Sequence, residues 1–151
     1  MPQSLAAIYI HATWSTKERV PFLRDAGLRA RMFEYIGGVS NNLDCTPIIV
    51  GGVEDHVHIL ARFARTTSTS DWIKEIKRGS SAWAKDIDPT TRKFQWQAGY
   101  GAFSVSYSNI GRVERYIANQ EAHHRKQTFQ DEYREFMRKH GIELDERYVW
   151  D

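Results

Sequence analysis

Two apolar segments separated by only two acidic residues constrain the fold of this 151-residue chain most strongly. Residues 46–53 and 56–63 are rich in β-branched and other apolar side chains, and Glu54-Asp55 is the only break between them. Strands joined by so tight a turn run antiparallel, so the pattern predicts a β-hairpin.

The segments around this hairpin predict the rest of the sheet. A strand over 5–14 and a helix from an Asp25 cap to about Leu43 precede it. A helix from a Ser70 or Asp71 cap to about Ile87 and a strand region within 94–107 follow it. The β-α-β-β-α-β order predicts an α+β fold: a ferredoxin-like split βαβ antiparallel sheet with helices on one face. C-terminal helices are predicted over 110–125, capped by Asn109, and over 128–140, capped by Thr128.

Length and composition favour one domain, residues 1–151, with 41% hydrophobic residues to form its core. Cys45 is the only cysteine, which excludes an internal disulfide and a thiolate metal cluster. No apolar run approaches the ~18 residues of a membrane span, and no signal peptide is evident, so a cytoplasmic protein is expected.

The formal net charge is only +2, but its distribution is uneven. Residues 62–93 carry eight Lys and Arg against four Asp and Glu. Within this segment Lys74, Lys77 and Arg78 form a basic stripe on the second predicted helix, which could contact nucleic-acid phosphates. An ordinary solvated helix face would give the same pattern.

Two histidines lie two residues apart in the second strand of the hairpin. Because alternate side chains of a strand share a face, His56 and His58 point one way while Val57 and Ile59 point into the core. Two imidazoles on one face can chelate a divalent metal. Two hydrogen-bonded or solvent-facing histidines would show the same spacing.

A tyrosine and a glutamine, Tyr116 and Gln120, are spaced i and i+4 on a predicted helix and therefore share a face. Alone, the pair is explained by packing and a hydrogen bond. With the two histidines, the glutamine oxygen would complete a neutral site of two nitrogens and one oxygen. A metal there could bind phosphodiester oxygens beside the phenol, whose pKa near ~10 requires activation before it attacks phosphorus.

These motifs resemble a known family. His56-Val57-His58 resembles the histidine–hydrophobic–histidine (HUH) motif, and residues 116–120 resemble the nucleophile helix of single-tyrosine HUH transposases of small insertion sequences. Relatives of that group are the REP-associated tyrosine transposases. Residues 96–101 and 119–124 resemble the same family, so the likeness covers nearly the whole chain.

The resemblance implies a single HUH domain that works as a dimer through paired strands, with the predicted edge strand near 103–107 suited to this. It implies Mg²⁺ or Mn²⁺ bound by His56, His58 and Gln120, with Tyr116 as the nucleophile in its own subunit or its partner's. The implied substrate is single-stranded DNA with hairpin ends, cleaved to a 5′-phosphotyrosine and a free 3′-hydroxyl. Gln120, where replication initiators often carry a second tyrosine, favours transposition.

Two other functions remain open. A domesticated module could grip hairpins or single strands without cleavage, and a metal-dependent phosphodiesterase could use water instead of Tyr116. His123 and His124 could be ligands or phosphate contacts, although a helix C-terminus also favours histidine. Several further residues are expected in structural roles, with functional alternatives for some of them: His11, Trp96 and Tyr100 in the core, and Glu54 and Asp55 in the turn.

Overall fold

The structure is a computed structural model that describes residues 2–151; Met1 of the predicted domain lies outside it. Within these residues the chain forms four strands: β1 (Tyr9–Ser15), β2 (Thr46–Gly52), β3 (His56–Arg62) and β4 (Gly101–Val105). It also forms five α-helices: α1 (Ala26–Asn42), α2 (Thr69–Ile87), α3 (Ile110–Ala118), α4 (Gln120–His124) and α5 (Phe129–Lys139).

The strands make one antiparallel sheet in the order β2-β3-β1-β4. This confirms the predicted α+β, ferredoxin-like arrangement, including the hairpin of β2 and β3 and the position of β4 at an edge. β3 lies inside the sheet between β2 and β1, so its backbone is held on both sides. A side chain on β3 is therefore carried by a rigid part of the molecule.

Both faces of the sheet are covered by helices. α1 and α2 pack on the face that carries Val57 and Ile59, and their side chains form the main core there. α5 covers the opposite face through a smaller cluster: Phe103, Phe129, Tyr133 and Met137. No helix in residues 2–151 combines the length and apolarity that crossing a bilayer requires.

Helix α3 packs closely against β2 because Gly51 has no side chain. A Cβ atom at Gly51 would lie 2.8 Å from both the carbonyl oxygen and the side chain of Ile117. Gly51 therefore permits the close approach of α3 to β2, and the register shift of β2 falls between Pro47 and Ile49. This approach brings α3 and α4 to the histidine face.

Several predicted boundaries were wrong. The side chain of Ser68, not Ser70 or Asp71, caps α2 by accepting a hydrogen bond from the Asp71 amide. The strand predicted over 5–14 begins only at Tyr9, and only residues 101–105 of the region 94–107 form a strand. Trp96 instead lies buried and donates its indole N–H to Ser80, as its core interpretation predicted.

The helix predicted over 110–125 is interrupted at Asn119. The Asn119 amide donates to the carbonyl oxygens of Arg115 and Tyr116 and ends α3, while the Asn119 carbonyl accepts from His123 in α4. The side chain of Asn109 makes no capping bond to α3, contrary to prediction. The caps of α1 by Asp25 and of α5 by Thr128 are confirmed.

Candidate active site

The imidazoles of His56 and His58 are fully buried on the sheet face that α3, α4 and α5 cover. The face alternation predicted from the sequence is therefore confirmed, since Val57 and Ile59 enter the opposite core. Because the two histidines lie on the central strand β3, the sheet fixes the separation of their rings, whose centroids are 5.3 Å apart.

Each of these imidazoles is oriented by a partner on its Nδ1 side. His56 Nδ1 lies 2.7 Å from a carboxylate oxygen of Asp55, and His58 Nδ1 lies 2.8 Å from Nε2 of the buried His11. His11 is thus a hydrogen-bonded core histidine, and Asp55 contacts an imidazole in addition to forming the turn. Such partners fix the ring and leave both Nε2 atoms facing the same space.

Gln120 faces His56 from the first turn of α4. Its Oε1 lies 3.1 Å from His56 Nε2, and the residue is only 1% exposed. With a proton on Nδ1 toward Asp55, His56 Nε2 presents a lone pair, so two acceptors face each other unless the ring carries a second proton. A cation between them would satisfy both atoms, which is the behaviour of a metal site.

The Glu132 carboxylate lies at the centre of this face. Its Oε1 is 3.0 Å from His58 Nε2 and 3.5 Å from His56 Nε2, and its Oε2 is 3.1 Å from His124 Nε2. Burial alone would raise the pKa of Glu132, but its electrostatic interactions and hydrogen bonds with His58 and His124 hold that pKa well below the usual range. The group is therefore an anion in a buried site.

The hydroxyl of Tyr116 reaches the same carboxylate from α3. It donates a hydrogen bond to Glu132 Oε2, and His123 Nε2 lies 3.2 Å from the Tyr116 hydroxyl oxygen. Burial raises the pKa of Tyr116 well above its usual value, and the negative charge of Glu132 adds to the increase. The phenol is therefore neutral and directed into the histidine cluster.

These donors suit a divalent cation. One ligand atom from each of four residues, His56, His58, His124 and Glu132, lies within 4.8 Å of all the others. Ligands about 2.1 Å from an octahedral ion sit about 3.0 Å apart when adjacent. The separations of 3.0–3.5 Å among the Glu132, His56 and His58 donors are of this size. Burial also lowers the pKa of His58, which favours the neutral imidazole that binds metal.

Comparison with known proteins identifies the family of this chain. The sequence pattern of IS200-like transposases matches residues 4–120, more than three quarters of the chain. The chain belongs to the IS200-like transposase family. This match confirms the family predicted from the sequence. Transposases cleave DNA, so the chain belongs to a family of DNA-cleaving enzymes. The matched residues include the predicted nucleophile and metal ligands, with Gln120 at the last matched position: Tyr116, His56, His58 and Gln120.

Two solved structures share the fold of this transposase. A candidate transposase from Deinococcus radiodurans R1 has a TM-score of 0.60 and 20% identity, and the alignment covers 80% of this chain and 95% of that one. A REP-associated tyrosine transposase bound to a REP hairpin has a TM-score of 0.60 and 13% identity, with 82% and 72% covered. No curated protein matches the chain.

Glu132 is the site residue that sequence reasoning missed in this transposase. The alternating charges of residues 121–139 are typical of an exposed helix surface, yet Glu132 is only 2% exposed. Phe129 and Phe136 lie three residues before it and four residues after it, on one side of α5. That spacing is a signal that Glu132 shares the buried face of the helix. His124 was weighed as a ligand and joins the cluster, while its Nδ1 lies 2.6 Å from the Gln127 carbonyl oxygen.

The basic stripe lies elsewhere. Lys74, Lys77 and Arg78 are on α2, across the sheet from the histidines. Lys77 donates to the carbonyl oxygens of residues 97, 98 and 99, and burial lowers its pKa to about 8. Arg78 pairs with Glu75. Lys77 is thus engaged within the protein, and a phosphate contact by this stripe stays a prediction.

Proposed function

We propose that this transposase cleaves and rejoins single-stranded DNA through a covalent 5′-phosphotyrosine on Tyr116. One observation carries the proposal: the Tyr116 hydroxyl and the donor atoms of His56 and His58 all contact the Glu132 carboxylate within one chain. The nucleophile and the cation-binding cluster are therefore both in contact with one side chain, that of Glu132. Such proximity is what phosphoryl transfer requires, because positioning supplies much of its rate.

The chemistry proceeds by in-line displacement. The Tyr116 oxygen forms a bond to phosphorus while the bond from phosphorus to the 3′ oxygen breaks, and the leaving oxygen gains a proton to become a 3′-hydroxyl. Before the reaction, Glu132 orients the hydroxyl by accepting its hydrogen bond. Because its low pKa makes Glu132 a weak proton acceptor, we assign the phenol proton to His123 Nε2, 3.2 Å from the phenol oxygen, once the hydroxyl turns away from Glu132. The reverse reaction with another 3′-hydroxyl rejoins strands without ATP.

We infer that His56, His58 and Gln120 hold a divalent metal, Mg²⁺ or Mn²⁺, with Glu132 and His124 as further donors. Oxygen ligands suit these ions, while several imidazoles would also accept a softer ion such as Zn²⁺ or Ni²⁺. When bound, the metal offsets the negative charge that develops on the phosphoryl oxygens. Asp55 and His11 keep the two imidazoles oriented for it.

We also propose a DNA partner with hairpin ends and a homodimer. The hairpin proposal draws on the similarity in fold to the REP-associated tyrosine transposase, which is bound to a REP hairpin. The dimer proposal draws on β4, whose outer edge has no strand partner within residues 2–151. An unpaired strand edge is a template for a second chain. A cytoplasmic location remains the expectation from sequence.

A second candidate function has one observation in its favour. The Glu132 carboxylate lies beside the Tyr116 hydroxyl, in the space that a scissile phosphate would enter, and it would repel that phosphate. A module that binds hairpins without cutting them would tolerate this arrangement. Cleavage requires instead that a cation neutralises Glu132 or that the carboxylate moves aside when DNA binds.

Adduct formation separates these functions. The protein is incubated with Mn²⁺ and end-labelled single strands from the sequences that flank its gene, and denaturing electrophoresis detects labelled protein. The proposal expects an adduct that disappears in Tyr116→Phe while DNA binding persists. Cleavage without an adduct would indicate water as the nucleophile, and binding without cleavage under any metal would support the binding module. Either result contradicts the proposed reaction.

A further inference from the structure

A cavity of about 290 Å³ opens directly beside the ring of Tyr116. The side chains of Val113 and Phe136 line it together with that ring, and Arg112 and Lys139 lie on its wall as well. Small-molecule sites usually measure roughly 300–1,000 Å³, so this cavity is at the lower limit and suits a group the size of one ring system.

The aromatic wall of the cavity is rigidly held. The Phe136 ring stacks on Phe103 with centroids 5.2 Å apart and an angle of 18° between the planes, and its edge meets His11 at 5.2 Å. The Tyr116 ring also meets Phe136 edge-on at 5.7 Å, and the half-buried Phe136 ring keeps part of its surface accessible to the cavity. A fixed aromatic face offers a stacking surface that loses little entropy when a planar ligand binds.

The charges around the cavity favour different positions for the base and the phosphate of a nucleotide. Glu132 and Glu135 both lie on its wall, and they disfavour a phosphate inside it. Arg112 is exposed and makes no ion pair within residues 2–151, whereas Lys139 already pairs with Glu135 at 3.2 Å. A neutral base is therefore suited to the interior, while a backbone phosphate is suited to Arg112 at the exterior.

We propose that this cavity binds one unpaired nucleobase next to the scissile phosphate, by stacking on Phe136. The inference rests on the proposed function, because Tyr116 is both the nucleophile and part of the cavity wall. A base held in a duplex could not enter, so the cavity would select for an unpaired nucleotide at the cleavage position. It thus gives a physical reason for single-strand specificity at the point of attack.

Photocrosslinking tests the site without requiring cleavage. The probe is a dodecamer of deoxythymidine in which every thymine is replaced by 5-iodouracil, which crosslinks on irradiation to an aromatic side chain that it stacks on. Digestion of the crosslinked protein–oligonucleotide complex and mass spectrometry of its peptides are expected to find the crosslink at Phe136. The crosslink should persist in Tyr116→Phe and in Tyr148→Leu, which alters an exposed aromatic residue away from the cavity. Crosslinks at other aromatic residues alone would overturn the proposal.

Affinity provides the second measurement. Replacing the aromatic ring in Phe136→Leu should weaken binding of the deoxythymidine dodecamer about tenfold, the size expected for one lost stacking contact. An abasic dodecamer of the same length should bind both proteins equally. Equal losses for the two oligonucleotides, or no loss for either, would contradict base stacking at Phe136.

A second variant tests the cavity independently, in case Phe136→Leu does not fold. Val113→Phe places a larger side chain in the cavity from the half-buried face of α3 and should abolish the Phe136 crosslink while the thermal midpoint is maintained. A crosslink that survives this change overturns the proposal. The two hypotheses also fail separately: a crosslink without any tyrosine adduct refutes the cleavage reaction, and an adduct without the crosslink refutes the base site.

Discussion

The Tyr116 hydroxyl donates a hydrogen bond to Glu132, which lies sixteen positions later in the chain and two helices further on. The contact joins the predicted nucleophile to the histidine cluster, because the other oxygen of the same carboxylate faces His56 and His58. It also keeps the phenol protonated in the absence of DNA.

Replacing the carboxylate in Glu132→Gln should lower the pKa of Tyr116. Burial is the largest cause of the raised pKa and would remain, but the negative charge that further disfavours the phenolate would be lost. Ultraviolet difference titration against the double variant with Tyr116→Phe isolates the phenol. Glu143→Gln, which replaces an exposed glutamate outside the cluster, is the control. An unchanged pKa of Tyr116 in Glu132→Gln would show that the Glu132 charge does not influence the nucleophile.

Removing one imidazole should weaken metal binding. His58→Ala deletes a donor on the rigid central strand, and we expect the affinity for Mn²⁺ to fall by at least about tenfold. Isothermal titration calorimetry measures the change. The control His140→Ala removes an imidazole that stacks on Phe103 outside the cluster and should leave the affinity unchanged. Equal affinity of His58→Ala and native protein would remove His58 from the coordination shell.

A methyl group at Gly51 should disturb the contact of α3 with β2. Gly51→Ala places its Cβ 2.8 Å from the Ile117 carbonyl, so the helix must shift, and the free energy of unfolding should fall by about 1–3 kcal/mol. Gly38→Ala is the matched control: it lies inside α1 with no atom within 4 Å and should stabilise the protein by about 0.5–1 kcal/mol. Urea denaturation measures both, and equal effects would argue against the close approach.

Acidification should destabilise the metal-free protein. Burial lowers the pKa of His11 and His58 in the folded chain, whereas the unfolded residues bind protons below their ordinary value of 6.5. The unfolded state then binds more protons, so stability is present above pH 6.5 and is lost as the pH falls below it. His124, whose pKa Glu132 raises despite burial, acts in the opposite direction.

The expected net loss between pH 7.5 and 5.5 is about 1–3 kcal/mol, measured by urea denaturation in EDTA. The variant His11→Leu should show a smaller loss because it removes one of the buried imidazoles. A free energy of unfolding that stays constant or rises on acidification would contradict the assignment of neutral imidazoles to this face.

The sequence predicted the sheet because its signals are local. The alternation around His56 and the two-residue turn at Glu54-Asp55 depend only on neighbouring residues, and both survive in the structure. Strand ends were harder to predict: Trp96 has the side chain of a strand residue, but tertiary contacts with Ser80 place it outside β4. Helix breaks such as the one at Asn119 depend on backbone bonds that no residue pattern specified.

The candidate site was predictable in the parts that lie close together in sequence. His56 and His58 share a strand face through their spacing alone. Tyr116 and Gln120 both reach the site as predicted, although the helix expected to carry both is broken between them at Asn119. Glu132 lies on another helix, α5. Because its neighbours in the sequence are charged, the charge pattern did not indicate that Glu132 is buried. Only the packing of α5 on the sheet shows that this carboxylate meets the imidazoles and the phenol.

Mapping the covalent adduct tests the central claim most directly. After incubation with Mn²⁺ and single-stranded DNA from the gene's flanking sequences, the protein is digested with trypsin and nuclease, and its peptides are sequenced by mass spectrometry. We predict a nucleotide linked through phosphate to Tyr116, within the tryptic peptide 116–125. A nucleotide on a different residue, or cleaved DNA with every copy of that peptide unmodified, would contradict the account.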